Sequence, residues 1–146
     1  MKKINILVTG AGSGVGQSII KSLKISKINC NIISADISEY NAGLYRTKKS
    51  ILVPKVEKKG TLRWYIKNLK KLKINVLMIG SEFDINFFSK YKNIIKKKTN
   101  CEVCVADQEV IKMANDKYLT QIFLKDNNLH SLFLVLFLDQ IHLSVC

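Results

Sequence analysis

Residues Lys3 to Thr9 read KINILVT and stop at Gly10, an apolar run too continuous for a strand with one wet face. Such a run belongs to a strand buried on both sides, which requires helices above and below its sheet. Helical spacing follows in Val15, Ile19, Ile20 and Leu23. A second apolar run, Cys30 to Ala35, then halts at Asp36 and completes a βαβ unit. Beyond it the pattern predicts a single turn at Ala42 to Tyr45 and a short strand over Ser50 to Val53 closed by Pro54. A helix on Leu62, Tyr65, Ile66 and Leu69 comes next, then a strand from Val76 to Ile79 ending in Gly80. Ile85, Phe88, Tyr91 and Ile95 mark another helix, Glu102 to Val105 another strand, and Gln108 to Ala114 a short helix. A last helix runs from Asn115 to Asp126. Five strands alternating with helices define an α/β fold, a doubly wound, mostly parallel Rossmann-like sheet with right-handed crossovers.

Charge excludes more than it suggests. The net charge is +13, but all 24 basic residues except Arg46 and Arg63 are lysine. Readers of bases and phosphates favour arginine forks and interleaved aromatics, so no specific nucleic-acid partner is expected. Lys70-Lys71 and Lys96-Lys97-Lys98 are read as helix ends, where cations complement the dipole. Cys30, Cys101, Cys104 and Cys146 are expected as reduced thiols. The Cys101-Glu102-Val103-Cys104 spacing falls on a strand, which turns the two sulfurs to opposite faces, and no metal site is expected. No secretory leader is read at the start, so a cytoplasmic protein is expected. Leu132 to Leu138 is apolar throughout but too short to span a bilayer, and no membrane partner is expected. The tail after Lys125 holds no lysine or arginine. It reads either as a buried strand or as residues outside the original reading frame.

The turn after the first strand is Thr9-Gly10-Ala11-Gly12-Ser13-Gly14-Val15-Gly16. Glycines there allow positive φ, close approach of an anion to backbone N–H groups, and tight packing of helix on strand. Val15 stands where strict GxGxxG needs its third glycine, whereas TGxxxGxG, the short-chain dehydrogenase spacing, fits. Asp36 sits where an acid would bind an adenosine ribose. Against a dehydrogenase, the only Tyr-xxx-Lys pair, Tyr45 with Lys49, precedes the third strand, and the chain is short for that enzyme.

Four ordered segments, ILVTGAGSGVGQSIIKSL, SADISEYNAGLYRTKKSILVP, IGSEFD and VADQEVIKMANDKYLTQIFLKDNNL, together resemble the N-terminal part of carbamoyl-phosphate-synthase-like ATP-grasp ligases from about Lys3 to Leu129. The resemblance implies a pre-ATP-grasp Rossmann-like domain over residues 1–114, a helix at 115–129 leading into an ATP-grasp domain, and an aberrant apolar tail at 130–146. It implies carboxylate activation by ATP with Mg2+, followed by attack of an amine, with most of that equipment in the later domain. The chain alone is therefore not expected to be catalytic.

The resemblance places Lys117 of Asn115-Asp116-Lys117 at the ATP phosphates. An ordinary exposed lysine behind a capping Asp116 or Asn115 reads equally well. Glu82 and Asp84 would face the acceptor substrate, a small carboxylate, at the crevice edge shared with Gly10, Gly12, Gly14 and Asp36. Capping by Ser81 with first-turn acids is the simpler account of the pair. A stand-alone module working with a separately encoded ATP-grasp domain, a homo-oligomer, and a truncated NAD(P)-dependent dehydrogenase are the alternatives.

Overall fold

A computed structural model describes residues 3–129. The chain forms two compact units that meet in sequence at Asp107 and Gln108. The first contains β1 (Ile4–Val8), α1 (Gly14–Ile25), β2 (Cys30–Asp36), a 3-10 turn (Ala42–Arg46), β3 (Lys49–Leu52), α2 (Thr61–Lys71), β4 (Val76–Met78), α3 (Glu82–Thr99) and β5 (Glu102–Cys104). The second contains α4 (Gln108–Asn115) and α5 (Lys117–Asp126). The expectations for the tail, including the apolar run from Leu132 to Leu138, fall outside the described residues.

All the strand pairs are parallel, in the order β3-β2-β1-β4-β5. Leu7 of β1 stands in register with Ile33 of β2 and Leu77 of β4, which stacks large aliphatic side chains across the middle of the sheet. Alternation along the strands feeds two cores. Leu7, Ile33, Leu77 and Val103 pack with Tyr65 and Leu69 of α2 and Phe88 and Ile95 of α3. On the other face Ile6 and Val8 pack with Ile20 and Leu23 of α1. Tyr65 and Phe88 meet edge to face at 4.9 Å between ring centres, a favoured aromatic geometry. The sheet is therefore covered on both faces, as the unbroken apolar runs require.

Helix ends follow local chemistry. Ser13 caps α1, its hydroxyl accepting from the Gly16 amide at 2.9 Å. Lys70 and Lys71 lie in the last turn of α2, and Lys96, Lys97 and Lys98 in that of α3, as their charge predicts. Asn100 ends α3 in the left-handed conformation at φ +56°, which asparagine tolerates better than most residues. One expectation fails: Ser81 precedes α3, but its hydroxyl makes no capping bond. Cys101 is buried and Cys104 exposed, on opposite faces as expected. Burial pushes the Cys101 thiol up to about 12, with Cys104 and Glu102 adding to the shift.

The glycines of the first loop do different work. A Cβ on Gly16 would sit 2.1 Å from the Gly10 carbonyl oxygen, and one on Gly80 would sit 2.4 Å from that of Thr9 and 2.6 Å from the Gly16 Cα. A Cβ on Gly14 would meet nothing within 4 Å. Gly16→Ala is therefore expected to destabilise by about 1–3 kcal/mol or more through forced displacement of α1. Gly14→Ala should stabilise by up to about 1 kcal/mol, because alanine favours a helix over glycine. Denaturant midpoints of the two variants check this pair.

Candidate ligand site

In an open parallel sheet, ligands bind where the strand order reverses, outside the carboxyl ends of the strands. Here that point lies between β1 and β4, and a cleft of about 580 Å³ opens there. Four loops build it: Gly10, Gly12 and Ser13 follow β1, Asp36, Ile37 and Asn41 follow β2, Lys55 and Glu57 lie in the segment after β3, and Ser81, Phe83 and Asp84 begin the segment after β4.

The glycine loop is held from within. The buried Asp36 accepts the Gly12 amide at 2.7 Å through one carboxylate oxygen and, through the other, the Asn41 side-chain amide and the Ser38 amide. The Asn41 side chain lies where a Gly12 Cβ would be, 2.4 Å from its Cγ, so only glycine fits there. The Gly12 N–H that a phosphate would use is thus already bonded to a carboxylate. Ser13 adds a second tie, donating to the Gly80 carbonyl while it accepts from Gly16. Gly10 makes the turn out of β1 at φ +56°, with Ser81 pressed against it.

Of the expected ligand edge, Gly10, Gly12, Asp36 and Asp84 come together around the cleft. Gly14 and Glu82 do not line it: Gly14 opens α1, and Glu82 is exposed on the first turn of α3. Lys117 opens α5 in the other compact unit. Sequence reasoning missed Asn41, Lys55 and Glu57, which sit in loops with no periodicity and no motif to mark them. It also missed Thr9, which is fully buried just after β1 and whose hydroxyl bears on the Asp84 carboxyl.

The cleft is acidic. Burial raises the Asp84 carboxyl above the ordinary carboxylate range; the Thr9 hydroxyl opposes this, and the charges of Glu57 and Asp36 add to it. Burial also raises the Tyr65 phenol, with Asp84 and then Asp36 contributing. No cluster of three or more His, Cys, Asp or Glu able to hold a metal ion occurs among the described residues. No helix among them is long and apolar enough to cross a membrane. A second cleft of about 630 Å³ lies by the amino ends of β1 and β2, with Lys3, Lys24, Arg46, Lys48 and Lys49 and no carboxylate in its lining.

An acid whose folded-state pKa is raised binds its proton more readily folded than unfolded. Its contribution to stability is therefore favourable at low pH and is lost as pH rises through the folded value. Asp84→Asn removes that loss. The variant is expected to melt a few degrees above the parent at neutral pH, with the gap closing towards about pH 4, where the unfolded carboxyl is itself protonated. Melting temperatures of both proteins across this range test it, and a gap that widened on acidification would contradict the assignment.

No protein-family model matches the sequence, and no curated protein matches it. Solved structures do match the fold. N5-carboxyaminoimidazole synthetase from Staphylococcus aureus, complexed with ADP, aligns at a TM-score of 0.57 and 19% identity over 86% of this chain and 30% of its own. The biotin carboxylase domain of a thermophilic 2-oxoglutarate carboxylase, bound to bicarbonate, aligns at 0.61 and 11% identity over 87% of this chain and 28% of its own. A monomeric L-threonine 3-dehydrogenase from a metagenome aligns at 0.52 and 19% identity, over only 67% of this chain and 34% of its own. The chain thus spans about 30% of the length of the synthetase it matches. Its fold, an all-parallel five-stranded sheet followed by two helices, is that of the N-terminal domain of the ATP-grasp enzymes.

Proposed function

We propose that this chain is the N-terminal portion of a carbamoyl-phosphate-synthase-like ATP-grasp ligase joining a carboxylate to an amine. In this reading residues 1–114 form the substrate-side domain, residues 115–129 lead into the ATP-grasp domain, and the chain is not catalytic alone. One observation carries it: the likeness to the synthetase and the biotin carboxylase runs over 86% and 87% of this chain, while the dehydrogenase covers only 67%. The state of Gly12 also weighs against a dinucleotide, because Asp36 already holds the amide a pyrophosphate would use.

Lys117 is the residue of this chain assigned to ATP. Asp116 caps α5, accepting the Tyr118 and Leu119 amides at 2.9 and 3.1 Å, and so fixes where the helix begins. Lys117 then stands on the first turn with its side chain exposed, free to place an ammonium against phosphate oxygens. Bound ATP supplies the phosphoryl group that activates the acceptor carboxylate. By the same resemblance the Mg2+ ligands are assigned to the ATP-grasp domain, on this chain's continuation or a separately encoded partner.

A thermal-shift comparison tests this reading. MgATP at ten times its Kd should stabilise the folded chain by about 1.4 kcal/mol. Lys117→Ala should abolish the rise in melting temperature, and NAD should leave it unchanged. A rise with NAD and none with MgATP would replace the ligase by a dehydrogenase fragment. An equal MgATP response in Lys117→Ala would remove the phosphate role of that residue.

A further inference from the structure

We propose that the cleft by the amino ends of β1 and β2 binds an oligophosphate, a small anion whose charges lie along a chain. The proposal does not rest on the ligase reading. Five of the cleft's twelve lining residues are cations (Lys3, Lys24, Arg46, Lys48 and Lys49) and none is an acid. The whole chain has 24 cations and 11 acids in 146 residues, so the cleft is enriched in one sign and cleared of the other. Arg46 is one of only two arginines. Neutral groups lie between the cations: Asn31 donates to the Asn5 side-chain oxygen at 2.9 Å, and no carboxylate in the lining serves as a counter-ion. A volume of about 630 Å³ is that of a small-ligand pocket, and a concave wall of one sign focuses its potential inward.

These cations are held together although they repel. The Lys24 ammonium donates to the Arg46 carbonyl, so α1 brings its charge onto the segment that carries three more. That segment is fastened to the sheet: the Thr47 hydroxyl shares a 2.7 Å hydrogen bond with the buried Ser34 and donates to the Lys49 carbonyl at 2.8 Å. The ion pairs among the described residues, Lys92 with Asp107 and Lys96 with Glu102, use none of the five. Spacing selects the ligand. Lys3 precedes Ile4, the partner of Cys30, and Lys49 is the partner of Ile33. The levels of the two lysines are thus four residues apart along β2 and two strand spacings apart across the sheet, about 13 and 10 Å. A single tetrahedral anion meets one end of this array at a time. A chain of phosphates runs along it, offering oxygens to the Arg46 fork and to the lysine point charges in turn.

The test titrates the whole chain with inorganic tripolyphosphate, free of metal, at an ionic strength held near about 0.15 M. The readout is the amide NMR shifts of Lys24, Asn31, Thr47 and Lys48. Tripolyphosphate should shift these amides saturably in the millimolar range. Arg46→Gln and Lys48→Gln should each weaken its binding about threefold, since each removes one exposed charge. Lys97→Gln, which removes the same charge from the end of α3, should leave the affinity unchanged. Equal weakening in Lys97→Gln would reduce the effect to net charge and overturn the proposal. So would no saturable response, or an equal affinity for inorganic phosphate, which would make the cleft a site for a single anion. A short single-stranded oligonucleotide that shifted the same amides more tightly than tripolyphosphate would replace the small ligand by a nucleic acid. ATP in a parallel titration separates the sources: tighter binding than tripolyphosphate assigns the phosphate chain to a nucleotide, weaker binding to an inorganic ligand, and both keep the site. Lys117→Ala should retain the tripolyphosphate response, which keeps this cleft distinct from the ATP role of that lysine; its loss there would remove the cleft.

Discussion

The β1–α1 corner is held by contact between backbones, with no side chain in between. Gly16 rests on the Gly10 carbonyl, and Gly80 fits against both Thr9 and Gly16, at distances no Cβ could share. Ser13 ties the same three segments, bonding the start of α1 to the strand end after β4. This contact sets how deeply α1 seats on the sheet, and therefore where the glycine loop ends and the cleft begins. The two cores supply most of the favourable burial, yet neither could fix the loops at the strand ends without this junction.

Much of this was legible from residue order. The unbroken runs in β1 and β2 imply burial on both faces, and the structure covers both faces with helices. Terminal lysines, Pro54 and the glycines set most element boundaries within a residue or two. The site was legible only in part, because its members are joined across the fold. Asp36 looks like a ribose ligand when position alone is considered, but its oxygens meet an amide 24 residues earlier and a side chain five residues later. Nothing local to Glu57 distinguishes it from the charged residues around it. Gly12 and Gly14 both belong to the glycine-rich turn, but Asn41 crowds one and open space surrounds the other. Such differences depend on which distant loop arrives, and spacing does not encode that.

The electrostatics of the molecule are sorted by position. Lysines close α2 and α3, where they face the negative ends of helix dipoles. Acids gather at the opposite ends, where the strands deliver their loops to the crevice. A chain of strongly positive net charge therefore presents a locally negative pocket.

The position of β3 gives the lysines a further consequence. It is one of the two outer strands of the sheet, with β5 at the other edge, and an outer strand offers unpaired backbone groups to any extended chain that passes. Lys48 and Lys49 stand at its entrance and Pro54 follows soon after its exit. A second copy adding edge to edge would have to bring like charges together at one end and meet a residue without an amide hydrogen near the other. The lysine excess of the chain thus acts at this margin as a barrier to sheet-to-sheet polymerisation.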